Sequence, residues 1–94
     1  MELIFDDQAV ADLEGIFNWV SQDSPAAARK VTDRLLKSIG QLTSFPFMGH
    51  VGHDPQTFEW VVPRLPYVVI YEVDVLRARV VVTAVFHGAQ ARDS

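Results

Sequence analysis

Two runs rich in β-branched residues, Tyr67 to Val73 and Arg79 to Phe86, stand five residues apart near the end of the sequence. Val recurs through both, with Ile70 in the first, as expected of strands packed on a pleated surface. The gap, Asp74 to Ala78, is short enough for an antiparallel hairpin. Everything upstream must therefore supply what covers this hairpin's apolar face.

The upstream half has a different period. Val10, Leu13, Ile16, Phe17 and Val20 recur at helical spacing, with Asp6 and Asp7 supplying an N-cap and early negative charge. Gly15 inside this helix costs roughly 1 kcal/mol against Ala, a cost that close packing would explain. Ser24-Pro25 is a second helix start, a capping Ser before Pro at the first helical position. Ala28, Val31, Leu35, Ile39 and Leu42 form that helix's apolar face, with Arg29, Lys30, Asp33, Arg34 and Lys37 largely elsewhere. Pro46 ends it. Two helices with a short join predict a helical hairpin.

The remaining pieces are shorter. Glu2 to Phe5 reads as a first strand. Gly49, Gly52 and Pro55 mark a loop, and Phe58 to Val62 reads as a strand. The expected order is β-α-α-β-β-β, an α+β domain with the helical hairpin packed on one face of a small antiparallel sheet. With 94 residues, positions 1–94 are expected to form a single domain.

Several function classes become unattractive. Cys is absent, which removes disulfides, thiol catalysis and cysteine metal sites. The longest apolar stretches are about seven or eight residues, against roughly 18 for a membrane span. The start, MELIFDD, has no basic leader region, so a cytoplasmic protein without membrane contact is expected. Eight Lys and Arg against twelve Asp and Glu give a net charge of −4, whereas a nucleic-acid binder is more often basic. His50 and His53 beside Asp54 have ligand chemistry, but without a second cluster they read as solvated loop histidines. Neither a metal nor a cofactor is expected. Glu59, Tyr71 and His87 would form an acid/base group if they shared a sheet face, while the simpler reading puts Tyr71 in the core with its hydroxyl satisfied. Arg64, Arg77, Arg79 and Arg92 would form a basic rim at one end of the sheet, or serve solubility. Trp19, Phe45, Phe47 and Trp60 read as core or helix-to-sheet packing, with any exposed remainder marking a partner surface.

Four segments together resemble a known family. They are AVADLEGIFNWVSQDSPAAARKVTDRLLKSIGQL, then FPFMGHVG (Phe45 to Gly52), LPYVVIY (Leu65 to Tyr71) and FHGAQ (Phe86 to Gln90). In this order they look like a ParE toxin of the ParE/RelE superfamily of bacterial toxin–antitoxin systems. The resemblance implies a RelE/ParE-like fold and a type II toxin that inhibits DNA gyrase by contact. It also implies a ParD-like antitoxin, bound in a hetero-oligomer along the helical hairpin and sheet, whose half of the complex would hold the DNA. His87, Gly88, Gln90, Arg92 and Arg64 would contact the target, and Trp19 and Leu36 the antitoxin. The resemblance leaves two alternatives. One is a ribosome-dependent endoribonuclease of the RelE kind, using His87 with Arg64 or Arg79. The other is a degenerate member that only binds its antitoxin. One nuclease branch places an Arg three residues before the strand Tyr, where Val68 precedes Tyr71 here. ParE members commonly have Gly-Arg in the turn and Arg before the second-strand Glu, where this chain has Gly49-His50 and Phe58-Glu59.

Overall fold

Asp6 and Ser24 begin the two helices as their chemistry requires. In a computed structural model describing residues 1–89, the Asp6 carboxylate accepts the Ala9 N–H at 3.0 Å and the Ser24 hydroxyl accepts the Ala27 N–H at 3.1 Å. These bonds satisfy N–H groups that a helix start otherwise leaves open. Helix α1 spans Asp7–Ser21 and α2 spans Pro25–Gly40, continuing into a 3-10 turn over Gln41–Thr43.

The strands are β1 (Glu2–Phe5), β2 (His50–Val51), β3 (Phe58–Val61), β4 (Tyr67–Asp74) and β5 (Arg79–His87). They form one sheet in the order β1-β5-β4-β3-β2. The sheet is mixed rather than wholly antiparallel, because β1 lies parallel to β5, with Glu2 opposite Arg79 and Phe5 opposite Val82. The helical crossover brings the chain back so that its first and last strands run side by side. The two-residue β2 lies in a segment expected to be loop, and pairs His50 with Glu59 and Val51 with Phe58. A bulge interrupts the β4–β5 ladder, with Ile70 opposite Ala84 but Tyr71 opposite Val82. Thr83 is the extra residue, and its hydroxyl donates to the Ile70 carbonyl.

The core lies between the helices and one sheet face. Leu35 and Ile39 of α2 and Leu42 meet Val69 and Tyr71 of β4 and Val80 and Val82 of β5, all fully buried. The opposite face, which carries Val68 and Ile70 by strand alternation, bears no helix among the described residues. On α1 the expected apolar face is turned slightly: Ala9 is its one buried residue, and Val10 is exposed. Alanine takes the closest approach because the helix sits near the strands. Gly15 does not owe its place to packing, since a Cβ there would meet nothing within 4 Å.

Among the described residues, two other than glycine adopt the left-handed backbone region, Arg64 (φ 66°) and Ala78 (φ 53°). Ala78 closes the β4–β5 turn, where its N–H donates to the Val75 carbonyl and Asp74 accepts the Arg77 N–H. That bond, together with the Arg77 guanidinium, holds the Asp74 carboxyl below its ordinary value. Because an L-residue with a Cβ is disfavoured at positive φ, Ala78→Gly is expected to stabilise the chain by about 0.5–1 kcal/mol, a rise of a few degrees in Tm. Calorimetry checks this, and an unchanged or lower Tm would contradict it.

Candidate functional site

The C-terminal end of β5 brings several of the nominated residues together. His87 is opposite Tyr67, and the two rings meet edge to face with centroids 5.6 Å apart. His87 Nδ1 accepts the Ala89 N–H at 3.0 Å, so the neutral ring carries its proton on Nε2. Gly88 follows, and its N–H donates to the Pro66 carbonyl at 2.6 Å. This bond ties the strand end to the β3–β4 turn, where Arg64 sits. In that turn the Leu65 N–H reaches the Val62 carbonyl, with Pro63 and Arg64 between them. Pro followed by a residue at positive φ matches a type II turn, whose third position favours glycine. An exposed arginine is held there instead, a local strain of the kind found at functional sites. His87, Gly88 and Arg64 thus share one end of the sheet. Gln90 and Arg92, also nominated from the sequence, lie outside the described residues.

Arg79 does not join them. It opens β5 while His87 closes it, eight residues later, roughly 26 Å away at about 3.3 Å per residue. The expected basic rim is likewise split, with Arg77 and Arg79 at the hairpin end of the sheet and Arg64 at the other. Nor do Glu59, Tyr71 and His87 form one group. Tyr71 pairs with Phe58 and stacks on its ring, while Glu59, next along β3, pairs with Ile70 on the opposite face. Tyr71 is buried, and its Oη accepts the Gly49 N–H at 3.0 Å. Burial pushes the Tyr71 hydroxyl above the ordinary tyrosine value, and the Gly49 bond partly offsets this. Burial also raises Tyr67. These are packed, neutral phenols. His50, His53 and Glu59 line a shallow depression beside β2, yet among the described residues no group of three or more such side chains is placed to hold a metal ion.

The surface is apolar in unexpected places. Trp19 is 72% exposed, Phe45 64% and Phe47 58%, although Phe47 keeps an edge contact with Phe58. Only Trp60 of the four aromatics expected in the core is buried. Helical spacing puts Trp19 off the buried face of α1, and Phe45 and Phe47 belong to the loop after α2. Leu36 is exposed on the outer side of α2. Charge is segregated as well: α1 carries Asp7, Asp12 and Glu14 with no Lys or Arg, while α2 carries Arg29, Lys30, Arg34 and Lys37 against Asp33. Sequence reasoning missed Asp12, whose Oδ2 accepts the Val85 N–H of β5 at 2.9 Å. No periodic signal could have revealed a bond spanning 73 residues.

Residues 3–92 match the family described as ParE toxin of type II toxin–antitoxin system, parDE. The chain belongs to the ParE toxin family. A relative described as a candidate toxin, Y4kP of Sinorhizobium fredii (strain NBRC 101917 / NGR234), is 29% identical over 66 residues, 70% of this chain and 69% of that one. Among solved structures, the chromosomal ParDE system from P. aeruginosa superposes with a TM-score of 0.80 at 19% identity, covering 93% of this chain and 95% of that one. The intact E. coli RelBE toxin–antitoxin complex gives 0.69 at 17% identity, covering 92% and 94%. The isolated E. coli RelE toxin gives 0.69 at 18%, covering 99% and 86%. At these identities the structural likeness establishes the ParE/RelE fold, with two helices packed on a five-stranded mixed sheet. Among the described residues no helix is long and apolar enough to cross a membrane.

Proposed function

We propose that this ParE-type toxin acts in the cytoplasm by binding DNA gyrase, holding the enzyme on cleaved DNA and so stalling replication. The observation that carries this reading is the ParE family match over residues 3–92. The geometry is consistent with a contact mechanism. Cleaving RNA through its 2′-hydroxyl needs a base, a cation for the phosphorane charge and an acid for the leaving oxygen, all within reach of one phosphate. Arg79 stands at the far end of β5 from His87, and Val68 occupies the place of the nuclease arginine. His87, Gly88 and Arg64, with Gln90 and Arg92 following in sequence, are the proposed target-contacting residues.

A ParD-like antitoxin is the proposed partner in a hetero-oligomer. The exposed Trp19 and Leu36 supply apolar anchors on the two helices, and the basic outer side of α2 favours an acidic antitoxin segment. With a net charge of −4 on the toxin, sequence-specific DNA binding falls to the antitoxin.

The test is gyrase supercoiling and DNA cleavage with the purified chain and ATP. Lost supercoiling with accumulation of linear, protein-linked DNA is the expected result. Growth arrest with unaffected gyrase would refute the gyrase target. It would turn attention to ribosome-dependent RNA cleavage, for which His87 and Arg64 are the groups to test. In that case His87→Ala would abolish toxicity while antitoxin binding persisted. Harmless overexpression without antitoxin would instead mark a member that has kept only partner binding.

A further inference from the structure

From Ser38 to His53 the chain carries no Asp, Glu, Lys or Arg. Four large apolar side chains in the second half of this stretch, Phe45, Phe47, Met48 and Val51, are exposed, Val51 at 61%. Phe47 meets the Phe58 ring edge to face, and Val51 stands across from the same Phe58 in the β2–β3 ladder. Phe58 stacks on Tyr71, so Phe47 and Val51 continue the core outward on the helix-bearing side of the sheet. Together the four side chains expose on the order of 400 Å2, the size of the largest apolar patch on a typical monomer.

The backbone supplies a second observation at the same place. β2 is the last strand of the sheet on its side. The Gly52 N–H donates to the Thr57 carbonyl at 2.9 Å, which makes Gly52 and Thr57 a hydrogen-bonded pair. In an antiparallel ladder such pairs alternate with non-hydrogen-bonded ones. Val51, opposite Phe58, therefore directs its N–H and C=O away from β3, toward the open side of the sheet. Edge strands are commonly blunted by charged side chains or Pro, and His50–Val51 has neither.

We propose that this edge is the contact between two copies of the chain, joined antiparallel through β2 about a twofold axis at Val51. The register is self-complementary. Val51 faces its counterpart, and the two exchange N–H to C=O bonds. Each His50 then faces a Gly52 of the second copy, so neither imidazole meets a bulky side chain. The Val51 side chains meet on the helix-bearing side, beside the Phe47 rings.

A second copy suits this surface better than a charged partner does. Each chain has a net charge of −4, and like charges brought together repel. The Ser38 to His53 stretch is where two such chains approach with least repulsion, and it gives an acidic or basic segment nothing to pair with. Two open strand residues also hold a bare peptide weakly, whereas a folded copy adds its own four apolar side chains. Roughly 800 Å2 from the two patches lies below the size of a standard stable interface. The dimer is accordingly weak, with a Kd of about 10–100 µM. None of this depends on gyrase being the target.

Sedimentation equilibrium of the purified full-length chain from about 1 to 500 µM, a range spanning the Kd, tests the proposal. The mean mass is expected to climb from the 10.5 kDa of one chain toward twice that value. Val51→Lys sets two ammonium groups against each other at the axis and should weaken association at least about tenfold. Val51→Ile should preserve it. Both variants should keep the wild-type Tm to within a few degrees, since the side chain is exposed. Leu76→Lys, at an almost fully exposed apolar position on the β4–β5 turn, should leave association unchanged. The proposal is overturned by a monomer at every concentration, by a dimer indifferent to Val51→Lys, or by one that Leu76→Lys also dissociates. A monomer whose antitoxin binding is lost in Val51→Lys would assign the patch to the antitoxin and equally overturn it.

Discussion

Gly49→Ala is expected to destabilise the chain by about 3 kcal/mol, lowering Tm by roughly 10–20 °C in a domain of this size. A Cβ at Gly49 would lie 2.8 Å from the Glu59 carbonyl oxygen and 2.8 Å from Tyr71 Oη. The first of these atoms belongs to the β3 backbone and cannot withdraw without disturbing the sheet. The second belongs to a buried ring that is stacked on Phe58 and bonded to the Gly49 N–H. Tyr71→Phe alone removes that acceptor from a part-buried N–H and should cost about 1–2 kcal/mol. In the double variant one clash is relieved, so its loss should be smaller than the sum of the two single losses. Urea denaturation of the four proteins measures this coupling. Strict additivity would show that the new methyl finds room by another route.

The second large effect is expected at Leu35. Its side chain is fully buried at the centre of the α2 contact with the sheet. Leu35→Ala removes three carbons from a close-packed site and should cost about 3–4 kcal/mol. Leu36→Ala, one residue along on the exposed side of the same helix, should cost under about 0.5 kcal/mol. Comparing the two variants by denaturation separates lost packing from a change in helix propensity, since both exchange Leu for Ala in one helix. If Leu36 is an antitoxin anchor, its replacement weakens the complex while leaving the free toxin's stability nearly unchanged.

The legible parts of the fold were those fixed by neighbours in sequence. Ser24 and Pro25 carry the start of α2 within a single turn, and the alternation through Tyr67 to Val73 carries β4. The missed parts depend on partners far along the chain. A two-residue strand such as His50–Val51 has no period to detect and exists only because β3 lies beside it. The parallel pairing of Glu2 with Arg79 depends on where the helical crossover returns the chain. On α1, neighbouring positions differ by about 100°, so sequence spacing could favour Val10 where the fold buries Ala9. The site divides in the same way. His87 is a candidate through the resemblance that Phe86 to Gln90 carry. That Arg64 joins it and Arg79 does not follows from strand direction and from the Gly88-to-Pro66 bond.

The adjacency of β1 and β5 has a kinetic consequence. β1 is made first but gains its strand neighbour only after Arg79 to Val82 have been synthesised. Loops of this length must close before the pairing stabilises anything, which slows folding. A nascent chain halted after α2 would hold a helical hairpin whose apolar face has no sheet to cover, an incomplete and aggregation-prone species. Toxicity should therefore appear only after release of a chain carrying β5, giving a bound partner a brief interval in which to meet the toxin as it folds.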